Sequence, residues 1–284
     1  MIENSAVDIL YGLAQSGVNL NSLTIHSTFI GKIGLPRWNG SYYEYRPQYL
    51  AINSPTVLIG RGDGAGSGRI KLDQGSVQTA WTVEKTASGA EPGIESVLLK
   101  GTNVLNTLQV IRGSVGLAVF AGETSALNLL QLGFVSNKLS DAQVRCGSGV
   151  DLSAGTVAKS GGTLTLNAGA QTFTQTDGVT TVLGNTANMT TAKNEGGTFF
   201  YASNGTIGLL VTGSGNPSSP AITDFRKTMS GRTVTNSELY ENGQLYDSYE
   251  TVTWTNGVKL VHTNLPSVKL DLGTNIKLNG VTAL

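Results

Sequence analysis

Residues 104–135 read VLNTLQVIRGSVGLAVFAGETSALNLLQLGFV. LNTLQ at 105–109 returns as LNLLQ at 127–131, 22 residues later, with the glycine-punctuated run VGLAVF between the copies. The whole stretch holds one acid, Glu123, and one base, Arg112. In a β-sandwich, strands pair through antiparallel hairpins, and nothing requires a segment to resemble another two strands on. In a parallel β-helix each coil holds roughly three short strands and stacks in register on the coil before, so like residues recur one coil apart. The echo therefore predicts Leu105, Asn106, Leu108 and Gln109 beneath Leu127, Asn128, Leu130 and Gln131. Leu108 and Leu130 would enter one apolar column, and Asn106 and Asn128 would form a stacked turn ladder.

The surrounding sequence keeps this rhythm. From about residue 54 to 225, runs of four to six strand-forming residues such as TVLIG, RIKLD, AWTVEK, LTLNAG and TFFYASNG alternate with glycines. Charged residues make up 13% of the chain and glycines number 37, a composition poor in helix formers and suited to short strands joined by tight turns. Apolar residues at 39%, recurring in regular runs, exclude intrinsic disorder. The fold class is all-β, with a parallel β-helix (β-solenoid) core over 51–215.

Both ends depart from the pattern. SAVDILYGLAQS at 5–16 predicts a short helix: Ser5 and Asp8 resemble a capping box, Gly17 is a stop, and Val7, Leu10, Leu13 and Ala14 share a face. PRWNGSYYEYRPQYL at 36–50 then concentrates aromatics in a chain where they are only 7%. Tyr, Trp and Arg are enriched at protein interfaces, so Trp38, Tyr42, Tyr43, Tyr45, Arg46 and Tyr49 form the candidate interaction surface of an N-terminal attachment or capping element, residues 1–50. A plain cap on a β structure, or a carbohydrate platform, are the other readings of the same rings. At the far end, Asn242-Gly243, Asn256-Gly257 and Asn279-Gly280 sit between short strand-like runs, the signature of type I′ hairpins. Residues 221–284 read as an antiparallel β meander, joined to the solenoid through the hinge GSGNPSSP at 213–220.

Little in the chain suggests chemistry. Lys plus Arg and Asp plus Glu are both 19, so the basic surplus that nucleic-acid binding draws on is missing. RGDGAGSGR at 61–69 is rich in glycine, but a strand-like RIKLD follows where a phosphate loop or dinucleotide fold needs a helix, so it reads as a strand connection. No cofactor is expected. Only His26 and His262 are present, without metal-ligand spacing, and the single Cys146 reads as a small buried apolar side chain. The N-terminus lacks a signal-peptide pattern and no run reaches a membrane span, which predicts synthesis in the cytoplasm and no membrane partner. Among the carboxylates of 100–225, Asp151 and Asp177 are the pair whose spacing would place them on successive coils, yet solvated turn acids are the simpler account.

The Gly/Asn/Thr-rich coils of 99–213, the hairpin-rich end at 232–284 and the leading SAVDILYGLAQSGVNLNSLTIHSTFIG together resemble β-helical virion proteins of tailed bacteriophages, seen in tailspikes and in capsid decoration (cement) proteins. The resemblance implies a viral structural protein located in the virion, commonly a homotrimer, that binds the major capsid protein or another virion protein. It implies assembly rather than catalysis, and no functional residue carries over from it. The alternative is a tailspike-like β-helix that binds or cleaves a polysaccharide, with Asp151, Asp177 and the aromatics of 38–49 as participants. A bacterial surface adhesin is a weaker third reading, disfavoured by the missing export signal.

Overall fold

A computed structural model describes residues 1–38, 40–43, 48–133, 141–184, 186–203, 205–214 and 221–224, and the backbone of the strands between 232 and 282. The chain forms two compact units, Met1–Val135 with Ser140–Asp151, and Ser136–Leu139 with Leu152–Leu284. All regular structure among the described residues is β.

The first unit opens with β1 (Ala14–Asn19), β2 (Leu23–His26), β3 (Leu50–Asn53) and β4 (Thr56–Arg61). It continues with β5 (Ile70–Asp73), β6 (Ala80–Val83), β7 (Val97–Lys100), β8 (Thr107–Val110) and β9 (Ser114–Leu117). It closes with β10 (Ser125–Ala126), β11 (Leu129–Leu132), β12 (Gln143–Cys146) and β13 (Val150–Asp151). Two parallel sheets result: β2, β4, β6, β8 and β11 stack in one, and β1, β3, β5, β7, β9 and β12 in the other. Each full coil thus gives one strand to each of two long sheets, and the two-residue strands β10 and β13 form a short third face.

Register and alternation together build the core. Leu23, Val57, Trp81, Leu108 and Leu130 are successive register partners, as are Ile25, Ile59, Val83, Val110 and Leu132, and all are buried. In the facing sheet the column Leu72, Leu99, Leu117 and Cys146 includes the lone cysteine, fully buried. Each such side chain contributes about 1.5–3 kcal/mol on burial, which is why a sheet with one inward face needs strict alternation.

The 22-residue echo is one coil: Thr107, Leu108, Gln109 and Val110 pair in parallel with Leu129, Leu130, Gln131 and Leu132. Its outer letters behave differently from expectation. Leu105 is 52% exposed while Leu127 is 2% exposed, so the two share no column. Asn106 and Asn128 make no side-chain ladder either. Asn128 is exposed, whereas Asn106 is buried and staples three coils, accepting from the Thr79 N–H at 2.7 Å and donating to the Ala126 carbonyl at 3.2 Å.

The N-terminal helix does not form. The Ser5 carbonyl accepts the Ile30 N–H (2.9 Å), the Asp8 carboxylate accepts the Lys32 N–H (2.8 Å), and Ile9 bridges in parallel to Ile33. The Asp8 carboxylate is thus engaged by the next coil, while the Ser5 hydroxyl accepts only the Val7 N–H at 3.1 Å, and Gly12 adopts a left-handed φ of 66° that interrupts any helix. Residues 1–19 are a sparse first coil ending in β1, all six of whose residues are exposed. Stacking on a preformed strand outweighs helix propensity that is marginal for so short a segment.

In the second unit β14 (Thr156–Lys159), β15 (Thr163–Leu166), β16 (Ala170–Gln175), β17 (Val179–Val182), β18 (Met189–Asn194) and β19 (Gly197–Tyr201) repeat the two-sheet plan. β20 (Ile207–Ser214) and β21 (Ala221–Asp224) extend it in parallel, and β22 (Arg232–Glu241) is parallel to β20. Antiparallel pairing follows: β23 (Gln244–Tyr249) and β24 (Val252–Trp254) on β22, and β25 (Lys259–His262) on β21. β26 (Lys269–Asp271) pairs with β25, β27 (Ile276–Leu278) with β24 and β28 (Val281–Thr282) with β27, all antiparallel. The Asn-Gly turn residues lie outside the described residues. Antiparallel partners flank Asn242-Gly243 and Asn279-Gly280, but β24 and β25, on either side of Asn256-Gly257, pair with strands of different sheets and not with each other. The hinge residues 215–220 also lie outside the described residues.

In this unit a polar column runs beside the apolar column of Val157, Phe173, Ala192 and Leu210. Lys159, Gln175, Asn194 and Thr212 are successive inward register partners, each no more than 2% exposed. Gln175 donates to Asn194 Oδ1 (3.3 Å) and to the Gly196 carbonyl (3.0 Å), and Asn194 donates to the Ile222 carbonyl (2.9 Å). Beside this column Phe173 and Phe199 stack with centroids 4.7 Å apart.

The echo gives a direct test. Leu130→Ala is expected to lower unfolding free energy by about 2–5 kcal/mol, whereas Leu105→Ala changes it by less than about 0.5 kcal/mol. Urea denaturation of the two variants checks both values.

Candidate functional site

The aromatic segment is an excursion from a split rung. In the second coil, Ile33 pairs with Ile70 and Leu50 pairs with Leu72, so both belong to one rung of the sheet, and residues 35–48 leave between them. The base is clipped where Leu35 N–H donates to the Gln48 carbonyl (3.0 Å). Gly34, at φ 90°, turns the chain out there, and a Cβ on it would collide with the Gln48 carbonyl and the Lys71 side chain. Toward the tip, Trp38 and Tyr43 form an antiparallel bridge with their rings edge to face at 4.8 Å. Trp38, Tyr42 and Tyr43 are 49%, 54% and 53% exposed. Tyr45 and Arg46 lie outside the described residues.

Tyr49 sits beneath this surface rather than on it. It is buried, and Lys100 Nζ, paired to Asp73 at 3.2 Å, lies 4.3 Å from its ring centroid. Burial and then the nearby Glu123 carboxylate push its phenol well above the ordinary range.

What ties the excursion down is charge, in a chain with little of it. Lys71 points outward from β5 yet is only 1% exposed, and its ammonium lies 2.7 Å from Glu91 Oε1. Arg69 Nε is 4.0 Å from the same oxygen. The other oxygen of Glu91 accepts the Arg37 backbone N–H at 3.1 Å, and the Arg37 guanidinium stacks 4.2 Å over Phe120. Burial lowers the pKa of both Lys71 and Arg69, opposed by Glu91. Glu91 therefore joins the excursion to two desolvated cations of the solenoid. Lys71 and Glu91 did not stand out in the sequence, and Arg69 did so only as the end of the glycine-rich 61–69 loop, because the contact joins segments about 20 and more residues apart.

A second feature is an open cleft of about 540 Å³ beside the starts of β7, β9 and β12, lined among others by Ser88, Glu95, Ser96, Ser114, Asp141 and Gln143. Glu95 accepts a two-point contact from Arg145, at 2.5 Å from Nε and 2.7 Å from Nη2, which raises the pKa of Arg145.

The other residues singled out from sequence take structural places. The amides of Gly64 and Gly66 in the 61–69 loop donate to Ser27 Oγ and to the Ser27 carbonyl, both at 2.7 Å. His26 is half-buried with Nδ1 3.1 Å from Thr28 Oγ1. Asp151 ends β13 and is exposed, its carbonyl accepting the Leu127 N–H, while Asp177 Oδ1 accepts the Gly178 N–H at 2.6 Å in a turn of the second unit. The two acids belong to different units. Among the described residues no three His, Cys, Asp or Glu side chains converge in a group fit for a metal ion. Cys146 is fully buried, and burial raises its thiol to about 12.

No known family model matches the chain, and neither a curated protein nor a solved structure is significantly similar to it.

Glu91→Ala leaves two buried cations without their carboxylate and is expected to cost about 3–5 kcal/mol, with faster tryptic cleavage after Arg37 as the excursion loosens. Glu91→Gln, which retains an oxygen for the Arg37 N–H, is expected to fall between that variant and wild type. Limited proteolysis with denaturant titration reads both effects. Cys146 is expected to resist a thiol reagent in the native protein and to react stoichiometrically once urea unfolds it.

Proposed function

We propose that this chain is a structural virion protein of a tailed bacteriophage, a homotrimeric capsid decoration (cement) or fibre protein that attaches through its N-terminal region. The supporting observation is where apolar surface is left open. Eight of the twelve large apolar side chains exposed among the described residues fall within residues 1–43. Clustered exposed apolar and aromatic side chains mark protein contact sites, and Trp and Tyr are the residue types that dominate such contacts energetically. Here they are carried on a clipped excursion and a sparse terminal coil, beside the exposed strand β1. A first unit whose terminal coil and excursion carry this open apolar surface suits a part that binds a shell. The partner in this reading is the major capsid protein or another virion protein, and the function is mechanical.

A second reading, a polysaccharide-binding or polysaccharide-cleaving β-helix, draws support from the 540 Å³ cleft, whose lining is hydroxyl- and carboxylate-rich. Glu95 and Asp141, rather than Asp151 and Asp177, are its natural participants. The engagement of Glu95 by Arg145 suits binding better than proton transfer.

Light scattering at several concentrations tests the first reading. A mass near three times 29.6 kDa is expected, and a monomer at all concentrations counts against it. Double substitution Trp38→Ala with Tyr43→Ala is expected to leave the mass unchanged and to weaken binding to capsid shells at least tenfold. Cleavage of a polysaccharide by wild type, lost in Glu95→Gln or Asp141→Asn, would establish the second reading instead.

A further inference from the structure

We propose that Lys159 and Gln175 become joined by an autocatalytic isopeptide bond inside the second unit. The two residues are register partners on the adjacent strands β14 and β16, and both side chains point into the interior, 2% and 0% exposed. Lys159 Nζ lies 3.2 Å from Gln175 Oε1 and donates to the Asp177 carbonyl at 2.6 Å. The Thr180 hydroxyl, also fully buried, donates to the same Gln175 oxygen at 2.6 Å. The Gln175 nitrogen is held by the Gly196 carbonyl and Asn194 Oδ1, so the amide is fixed on three sides.

This arrangement supplies a nucleophile, a donor to the carbonyl oxygen and a site shielded from water. Desolvation lowers the Lys159 amine to about 7, opposed by the Asp177 carboxylate, so a large fraction is the neutral nucleophile near neutral pH. Thr180 polarises the carbonyl and meets the charge that develops on its oxygen. The packed interior holds nucleophile and amide together and excludes water, which favours the slow intramolecular step.

The reaction balances without a co-reactant. The Nζ lone pair adds to Cδ, and the carbonyl π pair moves onto Oε1 against the Thr180 hydroxyl. A proton passes from Nζ to Nε2. The carbonyl re-forms, the Cδ–Nε2 bond breaks, and ammonia leaves. The new secondary amide retains one N–H, which keeps the Asp177 carbonyl as acceptor, and its oxygen keeps Thr180. The product therefore removes a buried basic amine and links successive coils covalently.

Intact mass spectrometry of the purified full-length chain decides the matter, before and after incubation at mildly alkaline pH below the unfolding temperature. The expected result is a species one ammonia lighter, and a branched tryptic peptide containing both Lys159 and Gln175. Lys159→Arg and Gln175→Leu are expected to keep their full masses. A wild-type mass equal to that of the sequence after incubation, with the two residues recovered in separate peptides, overturns the proposal. Because the wild-type mass is decisive, a variant that fails to fold does not obscure the answer.

Discussion

A strand in a parallel stack gives both of its edges to neighbouring coils and one of its faces to the interior, and this double demand governs both units. Along the edges it satisfies backbone N–H and C=O groups that burial would otherwise leave at a cost of several kcal/mol each. Across the faces it forces each inward side chain to lie against its register partner. Trp81, for example, meets Val57 on one side and Leu108 on the other. A residue at an inward position is thus selected by two neighbours of known identity, which explains columns of one chemical kind. The apolar columns of the first unit and the Lys159–Thr212 column of the second are two solutions to the same packing problem. The polar one works because its amides and hydroxyls run head to tail, donor to acceptor.

The same demand explains what could be read in advance. Alternation within a strand and recurrence between coils are both local properties of the sequence, so the all-β class and the stacking of 107–110 on 129–132 were legible from residues alone. Outside the paired strand the echo loses meaning: Leu105 precedes β8, where no register constrains it. SAVDILYGLAQS misleads for a related reason, since its helical spacing competes with hydrogen bonds from Ile30 and Lys32 that only the folded coil supplies.

The candidate site was legible in part. Exposed rings at Trp38, Tyr42 and Tyr43 follow from an aromatic cluster in an otherwise aromatic-poor chain, but nothing local distinguishes them from Tyr49, which is drawn under Lys100. The anchor of Arg37, Lys71 and Glu91 joins three segments and leaves no spacing signature. Lys159 and Gln175 were equally silent, because a lysine at the end of an alternating strand reads as a solvated turn residue until its partner coil is in place.

The clip between Leu35 and Gln48 has a consequence for how such a surface changes over time. Because the chain leaves and re-enters the rung at one closed point, the register from Ile33 to Leu50 does not depend on what lies between. Closure entropy rises only slowly with loop length, so residues can be added, removed or exchanged at the tip at small thermodynamic cost. The segment between Leu35 and Gln48 can therefore change in sequence and length while the coil beneath it keeps its register.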